Sequence, residues 1–186
     1  MITYDGIKSA NERVSRVEVR KGKFYADVAG RVQAFRELCP NGSIIPEIVT
    51  LNGDMCVMKA TAMDEEGKVL AVGHAYERET SSQINRTSYI ENCETSAVGR
   101  CLGLIGIGSE HSMATAEEME NALQQQEEID GLRSEILKLA NGNAARVDNF
   151  IAARSVNAKK LDDLNLPELK LFRDLIKKSV ESKEGK

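Results

Sequence analysis

Residues 85–108 read NRTSYIENCETSAVGRCLGLIGIG, and the reading of this stretch decides the fold. Ser88 followed by Glu91 has the form of a capping box, in which each side chain satisfies an orphan backbone donor of a first helical turn. Ile90, Cys93, Ala97, Cys101 and Leu104 then recur at helical spacing and make an apolar stripe. Ser96, Gly99 and Gly103 lie on an adjacent face with almost no side-chain bulk. A glycine inside a helix costs about 1 kcal/mol relative to alanine, so two of them imply that something approaches closely: a packed sheet, or a ligand. Gly103, Gly106 and Gly108 punctuate the exit.

Working outward, Asp27 can cap a helix with Val28, Val32, Phe35 and Leu38 on one face, ended by Pro40-Asn41-Gly42. Three strand-like runs follow. The first spans about residues 43–51 and turns through Asn52-Gly53-Asp54. The second spans 55–63 and turns through Asp64-Glu65-Glu66-Gly67; the third spans 68–78. The expected fold class is therefore α+β: an antiparallel β-meander covered by helices, then a small all-α module. Alternation puts Cys56, Met58, Ala60 and Ala62 on one side of the meander with Val69, Ala71, Gly73 and Ala75. These small residues suit a glycine-bearing helix lying close on the sheet. The opposite side presents Lys59, Thr61, His74, Tyr76 and Arg78 to solvent, a partner or a ligand.

Beyond the meander, Thr115 and Glu118 form a second capping box, opening an acidic, Gln-rich stretch. After Gly131 the pattern becomes short amphipathic helices bearing Leu132, Ile136, Leu139, Val147, Phe150, Ile151, Leu169, Phe172, Ile176 and Val180, with Pro167 at an expected first helical position. The expected organisation is a core over 1–115, a helical acidic connector over 116–130, and a helical module over 131–186 with a disordered tail from Glu181. Leu164, Leu166 and Leu169 are either an exposed docking edge of that module or part of its own small core.

Composition excludes several classes. The 186 residues carry a net charge of −4, but the first 38 hold eight Lys/Arg against five acids, so a local basic groove remains available. No apolar run approaches a membrane span, and no leader pattern precedes the chain, so no membrane partner is expected. Cys39, Cys56, Cys93 and Cys101 form no C-x-x-C pair and read as reduced core residues. His74 and His111 lack ligand-type partners at helical spacing, so no metal and no cofactor are expected. There is no phosphate-binding G-x-x-x-x-G-K-[ST] loop, and the glycines at 103–108 follow a helix instead of opening one. Pairing of Cys93 with His74 as a nucleophile is conceivable, but core packing is favoured. No catalytic residue can be nominated, and the chain reads as a binder.

The candidate nucleic-acid-binding residues are Lys59, Tyr76, Arg78, Arg86, Ser88, Tyr89 and Arg100, with Gln83 and Asn85 nearby. Arginine offers a bidentate fork to phosphate, helix N-termini add backbone donors, and tyrosine can stack on any base. Arg100 either reaches phosphate or ties its helix to a neighbour.

The order of helix, Pro-Asn-Gly turn, β-meander and then SYIENCETSAVGRCLGLIGIG resembles phage single-strand annealing proteins of the Erf/Sak type. Those proteins are related in core fold to the eukaryotic radiation-sensitivity annealing protein. The shared pattern is G-R-x-L-x-x-x-G, here Gly99-Arg100-Cys101-Leu102 through Gly106, and the resemblance covers roughly residues 24–115. It implies ATP-independent binding of single-stranded DNA and annealing of complementary strands in recombination. It also implies a ring or helical self-oligomer in the cytoplasm of a bacterial host. A host single-strand-binding protein or partner nuclease is then the expected ligand of the C-terminal module. The alternative is a phage or prophage protein-interaction module that binds a host protein without DNA activity.

Overall fold

The computed structural model describes residues 2–82, 84–110 and 112–184, so Gln83 and His111 fall outside it. The chain is α+β. Helix α1 (Tyr4–Asn11) leads to a two-stranded hairpin of β1 (Arg16–Arg20) and β2 (Lys23–Ala26), then to α2 (Val28–Leu38). The antiparallel meander β3 (Ser43–Asn52), β4 (Met55–Met63) and β5 (Val69–Arg78) follows, covered by α3 (Asn85–Ile105). Helices α4 (Ala116–Leu139), α5 (Ala144–Ala152) and α6 (Leu166–Glu184) complete the chain. It divides into two compact units, Met1–Ala122 and Leu123–Lys186.

Register places the small residues as the alternation requires. Ala60 pairs with Gly73, Met58 with Ala75 and Ala62 with Ala71, on the side where Cys93, Ala97 and Cys101 of α3 are wholly buried. Gly73 permits the closest approach. A Cβ there would strike the backbone of Ala97 and Cys101. Val69, expected on this side, is exposed instead. The register slips between Ala62 and Met63, so Met63 pairs with Val69 and Leu70 packs on the core. One inserted residue reverses the side on which its neighbours fall.

Two helix expectations need correction. A short helical turn from Asn85 meets the long segment of α3 at a kink at Ser88 (φ −143°, ψ 28°), so the long segment starts where Ser88 suggests and one turn precedes it, while the Ser88 Oγ lies 3.4 Å from Thr87 Oγ1. Leu104, expected in the apolar stripe, is exposed at the end of α3. The glycine face of α3 meets α2 and not the sheet. A Cβ at Gly99 would come within 2.6 Å of Thr115 Cγ2 and 2.9 Å of Val28 Cγ2, and one at Gly103 within 2.8 Å of Arg31 Nη1.

The N-terminal helix and hairpin were not expected. Thr3 Oγ1 caps α1 by accepting from Gly6 N at 3.1 Å, and Gly22 turns the hairpin at φ 75°. Buried Asn11 then ties α1 to the glycine exit of α3: its Nδ2 donates to Gly106 O and its Oδ1 accepts from Gly108 N. Asp27 caps α2 through Gly30 N, as its position suggests.

In the second unit, Leu132, Ile136, Val147, Ile151, Leu169 and Phe172 form a separate core. Leu164, Leu166 and Leu169 are buried in it, so they are no docking edge. Asn165 and Glu168 cap α6 reciprocally, which puts Pro167 at the second helical position. Helix α4 runs through the acidic stretch after Thr115, and the boundary between the two units, at Ala122 and Leu123, falls within it. Helix α6 runs into the segment expected to be disordered, and residues 185 and 186 lie outside the description.

Candidate nucleic-acid interface

The nominated residues divide between two faces of the meander. Lys59, Tyr76 and Arg78 share the side away from α3, where Lys59 pairs with His74, Val57 with Tyr76 and Met55 with Arg78. Arg86, Ser88, Tyr89 and Arg100 ride on α3, across the sheet. They do not converge on one groove. Several are also already engaged: Lys59 Nζ lies 2.6 Å from Glu47 and Arg78 3.5 Å from Asp54. Tyr89 packs on the core with its hydroxyl 3.5 Å from Gly53 O. Tyr76 and Arg86 are exposed.

Arg100 ties its helix to a neighbour. Its Nε donates to Glu118 Oε1 at 2.8 Å, while Glu118 Oε2 accepts from Thr115 N and Thr115 Oγ1 accepts from Glu118 N. The second capping box therefore forms, and Arg100 holds it against α3. Cys93 and His74 lie on opposite sides of the sheet, which removes the conceivable nucleophile pair. Burial pushes the Cys93 thiol up to about 12, so it is inert. Burial also raises the Glu77 carboxyl, although Asn85 Nδ2 donates to it at 2.6 Å. Among the described residues no group of three or more His, Cys, Asp or Glu could hold a metal ion.

The side chain that sequence reasoning missed is Arg31. It is wholly buried on α2, donating from Nη1 to Gly99 O at 2.7 Å and Met113 O at 3.2 Å. Its Nη2 donates to Gly108 O at 3.0 Å and, more distantly, to Ser112 O and Ala114 O. Burial lowers its pKa while Glu118 and Glu117 oppose the shift. Arg31 thus gathers the carbonyls of α3 and the segment after it; a Cβ at Gly103 or Gly108 would crowd it, while one at Gly99 would strike Thr115 and Val28. The glycine face serves packing.

Arg31 and Asn11 together hold residues 106–108 and 112–114, and beside the N-terminal hairpin lies a groove of about 820 Å³. Arg16, Lys23, Phe24, Tyr25, Asn11 and Glu110 line it, with Glu12, Gly22 and Ser112. Arg16 donates to Glu110 at 2.7 Å and to Asn11 O at 3.1 Å, while Lys23 is exposed and the Phe24 ring is 54% exposed. Lys23 and two aromatic rings therefore share one cleft with the carboxylates of Glu12 and Glu110, the latter paired with Arg16. The signal in the sequence was the basic run around Arg20–Lys23, with Phe24-Tyr25 directly after it.

No curated protein and no solved structure matches the chain. Residues 32–105, from within α2 through three strands to the end of α3, match the model of a family described as Slr1353 N-terminal dsRNA-binding domain-like. This match is to a nucleic-acid-binding-domain type and not to the Erf/Sak annealing proteins. The chain thus carries, between α2 and the end of α3, a segment similar to a nucleic-acid-binding domain.

Proposed function

We propose that the chain binds single-stranded DNA and anneals complementary strands without nucleotide hydrolysis, working as an oligomer. The observation that carries this reading is the groove in which exposed Lys23 sits beside Phe24 and Tyr25, with Arg16 held at its wall by Glu110. The similarity of residues 32–105 to a nucleic-acid-binding-domain family supports it. Cations attract phosphate, and stacking of a base on an exposed ring is worth about 1–3 kcal/mol and tolerates any sequence. A duplex keeps its base faces stacked on one another, so an exposed Phe24 favours single strands. A strand held by its backbone with its pairing edges open can test a complement, and annealing needs no covalent step.

Anisotropy of a labelled thymidine oligonucleotide, titrated at several salt concentrations, tests this. Binding should weaken with salt at a log–log slope of about −0.7 per phosphate contact. Lys23→Ala should remove about one contact from that slope, and Phe24→Ala should lower affinity without changing it. Complementary strands should anneal faster with the protein and without nucleotide. Absence of binding to a single strand at low salt refutes the reading. The family description favours a second reading, duplex RNA binding. Tighter binding to an RNA duplex than to the single strand, indifferent to Phe24→Ala, would replace the first.

A further inference from the structure

The groove beside the hairpin holds an arginine in the right place for a strand but already engaged. Arg16 pairs with Ala26 and Glu18 with Phe24, so Arg16 and Phe24 stand on one face of the hairpin as diagonal neighbours, about 7–8 Å apart in such pairing. That separation is the reach from a stacked base to a phosphate of the same strand. In the free protein, Arg16 Nη2 donates to Glu110 Oε2 at 2.7 Å and to Asn11 O at 3.1 Å. Both two-point edges of a guanidinium, Nε with Nη2 and Nη1 with Nη2, share that nitrogen. Its capture therefore withholds the bidentate grip on phosphate. The two acceptors differ in how firmly they are held. Asn11 is buried, with its side chain bonded to Gly106 and Gly108, so its carbonyl is fixed. The Glu110 side chain is 42% exposed, and Arg16 is the one partner of its carboxylate among the described residues. The carboxylate can swing out while the arginine stays.

We propose that Glu110 is an internal competitor for the strand: it occupies Arg16 in the free protein, and a nucleic-acid phosphate takes its place on binding. This rests on the single-strand reading above and adds the residue that sets the selectivity of its site. A lone anion must displace a carboxylate that is tethered beside Arg16 at high effective concentration. A strand brings its phosphate together with a base on Phe24 and another phosphate near Lys23, so the exchange favours a polynucleotide over free phosphate. Arg16 then counts as a phosphate contact in the complex, although it is paired without one.

Full-length Glu110→Gln, Arg16→Gln and the double variant test the exchange by titration with the labelled thymidine oligonucleotide over a salt series, once urea unfolding shows each to be folded. Glu110→Gln should tighten binding by about two- to fivefold, the strength of an exposed ion pair, with the salt slope unchanged because the same phosphates are met. Arg16→Gln should lower the slope by about 0.7, one phosphate contact. Glu110→Gln should then add nothing in the Arg16→Gln background. Glu12→Gln is the comparison: it removes the same charge from the same groove but no bond to Arg16, so any gain it gives should persist in that background. At matched ionic strength, inorganic phosphate should compete with the strand more strongly in Glu110→Gln than in the native chain. A Glu110→Gln gain that survives loss of Arg16 is long-range charge alone and overturns the proposal. So does a native slope in Arg16→Gln, which would make Arg16 part of the wall in both states. In either case strand binding by the native chain leaves the single-strand reading standing; no strand binding by any of these proteins at low salt refutes that reading and the exchange with it.

Discussion

Replacing Arg31 with methionine removes the donor cluster that holds α3 to the segment after it while keeping an unbranched stem in the same space. Two of the five bonds are short and fully buried, to Gly99 O at 2.7 Å and Gly108 O at 3.0 Å. A hydrogen bond from a charged group contributes about 1.5–3 kcal/mol, and an orphaned buried acceptor costs about 1–3 kcal/mol. The three longer bonds, to Ser112, Met113 and Ala114, add less. Against this stands the desolvation that lowers the Arg31 pKa, a cost that methionine does not incur. Nor does the variant lose a bond at Nε, which has no partner. The balance is a loss of about 3 kcal/mol from the first unit.

The assay is selective by composition. There is no tryptophan, and Tyr4, Tyr25, Tyr76 and Tyr89 all lie in the first unit. Tyrosine fluorescence in urea therefore follows that unit alone. With a slope of about 1.5 kcal/mol/M, the midpoint should fall by about 2 M. Arg31→Lys, which keeps one cationic donor head, should fall by about half as much. Proteolysis of Arg31→Met should begin within 106–114, before the meander is cut. A methionine variant within about 0.5 kcal/mol of the native chain would refute the view that Arg31 shapes the groove wall.

Other outcomes follow from neighbouring residues. Gly73→Ala would drive a Cβ into the α3 backbone and should cost about 3 kcal/mol or prevent folding, by the same urea measurement. Arg100→Ala removes an ion pair whose arginine is 51% exposed, so its stability cost should stay below about 1 kcal/mol; a large loss of DNA binding would return Arg100 to the interface. Glu77 is raised by burial, so its ionisation costs stability above the unfolded carboxyl range and nothing when both states are protonated. Glu77→Gln should therefore raise the urea midpoint at pH 7, and that gain should vanish on acidification. The buried Cys93 thiol, raised to about 12, stabilises the fold while neutral; that contribution should decline as pH rises from the ordinary thiol range toward 12. A maleimide that labels native Cys93 as fast as the unfolded chain at pH 7 would contradict the packing.

How far the sequence was legible depends on the range of the interactions. The meander, its Asn52–Asp54 and Asp64–Gly67 turns, the Asp27 cap and the Thr115–Glu118 box are local signals, and each appears where its residues are. The Ser88–Glu91 pair carried the same local signature, and the kink at Ser88 is where the long segment of α3 starts, but the turn before it was not legible. Asn85 is held by Ser81, Ser82 and Glu77, and these contacts extend α3 backward past Ser88. Leu164, Leu166 and Leu169 show the converse: their helical spacing gave no sign of whether a small core would take them. The N-terminal hairpin was illegible because its strands are short and charged, so alternation carried almost no apolar contrast.

Arg31 shows why the candidate interface moved. Within α2 it is one more cation on an amphipathic helix, and nothing in its own stretch sets it apart from Arg36. Its role is set about seventy residues away, by the carbonyl of Gly99 and by Gly103 and Gly108, whose missing side chains make room for it. The sequence displayed both halves of that arrangement, a helix with unexplained glycines and a basic N-terminal third, without the contact that joins them. Once joined, the glycines no longer need a ligand to explain them. Exposed Lys23 of the hairpin and exposed Arg86 are then placed to meet phosphate, while Arg16 is paired with Glu110 and Arg100 belongs to the capping box. The candidate interface shifts from the start of α3 to the groove beside the residues that Arg31 and Asn11 hold.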